Sequence, residues 1–157
     1  MFNRKRIVAL LLALVLSLSV ISALAGSPTI PAEYKSYKKI EWKGVSRNPD
    51  KYENQTVQFT GYVLQVMENQ LTSSTDETGY TTMSFNNYGL RVSTRGKYDD
   101  VVYVLIPYDA VEGGGRVLEG DKVTIFGTYA GLETYTTVLG KSVTLPQIEG
   151  EYMVIFD

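Results

Sequence analysis

The sequence contains neither cysteine nor histidine, and the two absences exclude several kinds of chemistry. Without cysteine the chain forms no disulfide bond and no thiolate nucleophile, and without either residue it builds no Cys/His zinc site. Without histidine it has no Ser-His-Asp triad and no imidazole acid–base catalyst. The fold must therefore be held by its apolar core, and any catalysis would depend on carboxylates or on a lysine-activated hydroxyl.

The N-terminal segment has the order of an export signal. Basic residues at 4–6 precede an uncharged run of nineteen residues at 7–25, which ends in Ala-Leu-Ala. This order predicts a signal peptide over 1–25, cleaved before Gly26. The alternative is an uncleaved membrane anchor, because roughly 20 apolar residues span a bilayer. Either way, we expect the protein to be secreted or held on the extracellular face of the membrane.

Residues 26–31 predict a short extended linker, because each of its two prolines disfavours helix in the residue before it. Residues 32–157 then suffice for one domain with a sizeable core. Removal of the signal leaves 12 basic and 17 acidic residues, a net charge of −5. A negative domain repels polyphosphates at long range, which disfavours nucleic acid as a partner.

One strand motif occurs twice. Val57-Gln58-Phe59-Thr60-Gly61 recurs 66 residues later as Val123-Thr124-Ile125-Phe126-Gly127. A glycine inside a strand tolerates the bulge or close backbone approach that a small barrel needs at its corners. The matched strands therefore predict a closed barrel that bends at Gly61 and Gly127.

The remaining periodicity predicts a mainly β fold with a short N-terminal helix. Residues 32–47 are predicted to be helical, and Asn48-Pro49 ends the helix. The five predicted strands lie at 55–67, within 83–94, within 101–108, at 122–130 and at 143–156, the last split near Pro146. Polar loops are predicted at 68–82 and 131–142. Five strands with one helix outside them match a five-stranded OB-fold Greek-key barrel.

Several of these residues also carry a resemblance to a known group of proteins. The matching stretches are 47–52, the first strand motif, Leu118-x-Gly120-Asp121 with the second motif, Gly140, and Pro146-x-Ile148. They are similar to exported OB domains of Gram-positive bacteria, including the C-terminal domain of the toxin-gene regulator TcdC and its uncharacterised secreted relatives. The resemblance covers residues 40–155 and implies the fold and the export, but no activity. It also implies an alternative function, a single-stranded nucleic-acid-binding or TcdC-like regulatory domain.

The acidic residues predict no catalytic site. Asp76-Glu77 and Asp99-Asp100 are adjacent pairs, and adjacent side chains of an extended chain point to opposite sides. Such pairs are poorly placed for shared acid–base work or for a metal cage, and we expect them to be solvated loop charges. Glycines 113–115 are followed by neither Lys-Ser/Thr nor a predicted helix, which favours a turn over a phosphate loop. We therefore expect no enzyme activity, no cofactor and no metal.

The sequence has 12 tyrosines, beside five phenylalanines and one tryptophan. A tyrosine ring stacks on sugars or bases and also suits protein interfaces. An OB barrel binds ligands on its second and third strands and on the loops at their rim. The residues predicted to bind ligand there are Tyr80, Tyr88, Arg91, Arg95, Tyr103 and Tyr135. Arg91 and Arg95 share strand parity if the second strand continues that far, so that together they hold an anionic sugar, a carboxylate or a phosphate.

These observations predict an exported, non-catalytic OB-fold ligand-binding module at the bacterial cell surface. The expected partners are a glycan or envelope component, a small ligand or a protein. A membrane is a partner only if the N-terminal segment is uncleaved.

Overall fold

The computed structural model describes residues 28–70, 72–84, 86–136 and 140–156. The predicted signal or anchor at 1–25 lies outside the described residues. The strands are β1 (Lys38–Lys39), β2 (Thr56–Met67), β3 (Thr72–Thr75), β4 (Thr81–Ser84), β5 (Asn87–Ser93), β6 (Val101–Pro107), β7 (Lys122–Thr136) and β8 (Ser142–Phe156). One α-helix, α1, spans Trp42–Arg47, and 3-10 turns cover Ala32–Ser36, Pro49–Lys51, Tyr108–Ala110 and Glu112–Gly114. None of the helices in these ranges has the length and apolar character that crossing a membrane requires.

Five strands form a barrel-like ring. β2 pairs with β5, β5 with β6 and β7 with β8, all antiparallel, whereas β6 and β8 are parallel. Antiparallel pairing of β2 with β7 closes the ring. β1 adds to β2 in parallel, and β3 and β4 form a separate hairpin. The predicted mainly β architecture is confirmed.

The two copies of the repeated motif pair with each other. Val57 lies opposite Gly127, Phe59 opposite Ile125 and Gly61 opposite Val123. A Cβ added to Gly61 would lie 2.6 Å from the carbonyl oxygen of Ser93. The register of β7 shifts at Gly127, and a Cβ there would collide with the Glu149 carbonyl group. Both glycines therefore sit where another strand's backbone approaches too closely for a side chain.

The apolar core fills the ring. Alternate residues of the ring strands point inward, as strand geometry requires. The largest fully buried side chains of this core are Phe59, Leu90, Ile106, Ile125, Tyr129, Ile148 and Met153. Helix α1 covers this core with Val45, whose carbonyl oxygen lies 3.5 Å from the hydroxyl of Tyr129. Because it packs on the core, the short helix needs no stability of its own.

The N-terminal region differs from the single helix that the sequence predicts. Residues 38–40 are extended, with Lys38 opposite Val57 on β2 and the Ile40 amide donating to the Gln58 carbonyl at 3.0 Å. The edge of β2 is open there because β5 pairs with β2 only from Tyr62 onward. Hydrogen bonding to this edge, together with burial of Ile40, outweighs local helix propensity.

Two predicted loops also contain strands. Residues 68–82 include β3, which pairs with β4 along four residue pairs. β7 extends to Thr136, and β8 runs without a break past Pro146. β8 pairs with β6 only from Gln147 onward, so at Pro146 one edge of β8 is free, and proline is tolerated on such an edge.

Residues 32–41 form a strap across the outer side of the ring. The ring of Tyr34 stacks on that of Tyr152, with centroids 4.9 Å apart, and lies 5.4 Å from that of Phe126. The hydroxyl of Tyr37 donates to the Glu151 carboxylate at 2.6 Å. The strap therefore buries Phe126 on the side of β7 that faces away from the core.

Stability is expected to fall as the pH rises from about 10 to 12. The hydrogen bond to Glu151, followed by burial and the Glu151 charge, raises the pKa of Tyr37 to about 12. Burial raises the pKa of Tyr129 to about 12. In the unfolded chain both groups ionise near the ordinary tyrosine pKa of about 10, so the folded state retains more protons within this interval.

Urea unfolding between these pH values measures the effect. Tyr37→Phe should lose less stability over the interval than the unmodified protein does. An identical pH dependence in the two proteins would contradict the assignment to Tyr37.

Candidate functional site

The outer side of β5 and β6 carries a mixed aromatic and cationic surface. Arg91 lies opposite Tyr103, and Gly89 opposite Leu105, while the intervening Leu90 is fully buried in the core. We call the surface formed by Gly89, Arg91, Tyr103 and Leu105 the β5–β6 face. A Cβ on Gly89 would lie 2.7 Å from the Tyr103 hydroxyl oxygen, so this tyrosine lies across the glycine.

Tyr135, near the end of β7, reaches the β5–β6 face. Its hydroxyl accepts a hydrogen bond from Nη2 of Arg91, and the guanidinium carbon lies 4.8 Å from the centre of its ring. Burial and the charge of Glu133 raise the pKa of Tyr103, against the opposing effect of Arg91. The face therefore combines one guanidinium group and one carboxylate with two tyrosine rings.

Three of the six predicted ligand-binding residues thus lie together: Arg91, Tyr103 and Tyr135. A guanidinium held by an aromatic ring keeps further N–H donors for a phosphate, a carboxylate or a carbonyl group. The tyrosine rings offer flat surfaces for stacking. The arrangement is suited to binding a flat polar ligand.

The structure places Tyr80 and Tyr88 apart from this group. Tyr80 directly precedes β4, at the end of the turn that joins β3 to β4, and is 70% exposed. Tyr88 is 7% exposed, belongs to the core cluster and packs on Tyr108 with ring centroids 4.3 Å apart. Its predicted place on the ligand face is wrong, because Tyr88 and Arg91 have opposite parity on β5 and point to opposite sides.

Arg95 also lies off the β5–β6 face. β5 ends at Ser93, so the shared strand parity assumed for Arg91 and Arg95 does not exist. Arg95 donates from Nε to Asp100 and from Nη2 to Asp99, both at 2.9 Å. It therefore pairs with the two carboxylates of the β5–β6 turn.

Asp100 organises that turn and is not the solvated loop charge that the sequence predicts. Its side chain is 4% exposed and accepts hydrogen bonds from Ser93, from the Thr94 hydroxyl at 2.6 Å and from Arg95. Burial by itself would raise the pKa of Asp100, but the bonds from Ser93, Thr94 and Arg95 outweigh it and lower the pKa. The carboxylate is fully engaged in structure.

Sequence reasoning did not identify Gly89, Glu133 or Gln70 as parts of the site. The side chain of Gln70 packs over Gly89, and its backbone amide donates to the Asn87 carbonyl at 3.0 Å. A glycine inside a strand often marks a close approach, so Gly89 was recognisable. Nothing in the local pattern marks Gln70 or Glu133. Across the described ranges, no group of three or more acidic side chains is placed to hold a metal ion.

Comparison with solved structures supports the fold. The chain is similar to a protein assigned as an aspartyl-tRNA synthetase from Leishmania major Friedlin, with a TM-score of 0.50 and 15% identity, over 82% of this chain and 23% of that one. An asparaginyl-tRNA synthetase from Pyrococcus horikoshii, in complex with asparaginyl-adenylate, gives a TM-score of 0.38 and 10% identity, over 68% and 20%. The chain spans less than a quarter of either structure. No family model and no curated protein matches the chain.

These comparisons correct one expectation. Net charge led us to disfavour nucleic acid as a partner, and that expectation is corrected, because the chain shares its fold with a protein named as an aspartyl-tRNA synthetase, and tRNA is a nucleic acid. Identity of 15% shows a shared fold and nothing more about the ligand of this chain.

Proposed function

We propose that the protein is an OB-fold module that binds single-stranded nucleic acid on its β5–β6 face. In chain order the five ring strands are β2, β5, β6, β7 and β8. The first three pair antiparallel in sequence, and the third and fifth are parallel, which supports the OB assignment. In such barrels the second and third strands and the loops at their rim bind oligonucleotides. In this chain those strands are β5 and β6.

One observation carries the proposal: Arg91 and the rings of Tyr103 and Tyr135 lie together on that face. Aromatic rings stack on bases whatever the sequence, and an adjacent guanidinium binds a phosphate or a base edge. The likeness to a synthetase fold supports nucleic acid over a glycan.

Because the net charge is negative, we expect the protein to contact only a short stretch of nucleic acid. We expect stacking to dominate and few phosphates to be neutralised. The affinity should then fall only slowly with salt, since each phosphate contacted on a single strand contributes a slope of about −0.7 in log K against log salt.

Binding of short labelled oligonucleotides, followed by fluorescence anisotropy, tests the proposal. Tyr135→Ala should weaken binding about tenfold or more, because a stacked base contributes roughly 1–3 kcal/mol. Arg91→Gln should weaken binding and also reduce the salt slope by about 0.7. Both variants should melt close to the parent temperature.

Arg116→Gln is the matched control. Arg116 is an exposed arginine that pairs with Glu68 at 2.9 Å and is not one of the residues that form the β5–β6 face, so its loss changes the net charge equally. Equal weakening by Arg116→Gln and Arg91→Gln would contradict the site. Binding of oligosaccharides without any binding of oligonucleotides would contradict the function.

The proposal includes export and the absence of catalysis. The signal-like segment at 1–25 and the resemblance to exported Gram-positive domains support a location outside the cell. The hydrogen bonds and the ion pair between Asp100 and Arg95 support a structural role for the Asp99-Asp100 pair.

A further inference from the structure

A second cleft lies away from the β5–β6 face. It has a volume of about 390 Å³ and separates the strap and the start of α1 from the β5–β6 turn. One wall carries Lys39, Trp42 and Lys43, and the other carries Thr60, Thr94, Arg95 and Asp100. The volume lies within the range of small-molecule sites in proteins, roughly 300–1,000 Å³.

Trp42 supplies the flat apolar wall of this cleft. It is half-buried and packs against the core cluster, while part of it lines the cleft. Packing against the core fixes the indole ring, so a ligand that stacks on it finds a surface that is already ordered. The chain contains no other tryptophan.

The charge of the cleft comes from two lysines. Lys39 and Lys43 are exposed, and neither forms an ion pair with any described residue. Arg95 also lines the cleft, but it is paired with two carboxylates, Asp99 and Asp100, and the second of these lines the cleft as well. Glu41 adds one carboxylate to the same wall. Lys39 and Lys43 are therefore the cations of this lining that no carboxylate of the described residues pairs with.

We propose that this cleft binds a nucleoside monophosphate, with the base on Trp42 and the phosphate between Lys39 and Lys43. A flat ring meets the indole face, and a phosphate dianion matches two ammonium groups that form no ion pair with a described residue. The site uses none of Arg91, Tyr103 and Tyr135. It is therefore a second site, independent of the proposed oligonucleotide face.

The fluorescence of Trp42 reports on this cleft directly. Titration with AMP should give saturable quenching. Inorganic phosphate and adenosine should each bind at least about tenfold more weakly than AMP, because phosphate lacks the contact with Trp42 and adenosine lacks the contact with the lysines. The double variant Lys39→Gln/Lys43→Gln should weaken AMP binding by about tenfold or more.

The control is Lys35→Gln/Lys97→Gln, which removes the same charge at two exposed lysines that do not line the cleft. It should bind AMP like the parent protein, and so should Arg91→Gln. The proposal is overturned if AMP gives no saturable change, if inorganic phosphate binds as tightly as AMP, or if the control double variant loses as much affinity. None of these results bears on oligonucleotide binding, which is measured separately.

Discussion

Replacing Gly127 with alanine is expected to lower the free energy of unfolding by about 3 kcal/mol or more, at the upper end of the cost of overpacking. The added Cβ would collide with the Glu149 carbonyl oxygen and lie 2.8 Å from the Cα of Gly150. Both contacts are with backbone, so neither is relieved by a change of rotamer. The strands β7 and β8 would have to separate where the register shifts.

Gly115→Ala is the matched control. Gly115 has φ −68° and ψ 149°, and a Cβ there would meet nothing within 4 Å. Alanine should be neutral or stabilise by about 0.4–1 kcal/mol, because it restricts the unfolded chain. Chemical denaturation measures the stability of both variants. Equal stability of Gly127→Ala and Gly115→Ala would contradict the role given to Gly127.

Replacing Asp100 with alanine is expected to lower the free energy of unfolding by about 3 kcal/mol, because removing a buried charged acceptor leaves its hydrogen-bond donors without a partner. Ser93, Thr94 and Arg95 all lose their shared acceptor. Ser93 in turn accepts hydrogen bonds from the amides of Arg95 and Lys97, at 3.2 and 2.9 Å, so the whole turn loosens. Asp99→Ala, which removes the exposed partner of Arg95, should cost only about 0–1 kcal/mol.

The effect of Asp100→Ala should depend on pH. The folded state lowers the pKa of Asp100, so its contribution is complete above the unfolded pKa of about 4 and is lost as the pH falls through the folded value. The stability difference between the parent and Asp100→Ala should therefore shrink on acidification below about pH 4. A difference that stays constant to lower pH would contradict the ionised role of Asp100.

Strand positions were predicted well where alternation and glycine agree. The paired motifs fix β2 and β7, and their glycines mark real close approaches of the backbone. The strap was not predicted, because its extended form depends on the open edge of β2, which is a tertiary feature. The β3 and β4 hairpin was missed because runs of threonine and serine lack an apolar face.

The site was predicted in part for a similar reason. Arg91 and Tyr103 are direct cross-strand neighbours, which a correct strand assignment brings together. Arg95 was misplaced because the end of β5 is set by the hydrogen bonds of Asp100. Two adjacent acidic residues in the sequence do not indicate that one of them makes these bonds. The exclusion of nucleic acid rested on net charge, which describes long-range repulsion and says nothing of how charged and aromatic groups are arranged on one face.

The pairing of β2 with β7 has a consequence for the order in which the chain can fold. Residues 56–62 meet residues 122–128, so the ring closes across a long stretch of chain, and such distant contacts form slowly. A ribosome releases β2 well before β7, and during that interval β2 lacks this partner. β1 is released earlier still and pairs with β2 from only 19 residues away. The strap can therefore shield the β5-side edge of β2 from contact with other nascent chains, while the opposite edge stays open until β7 arrives.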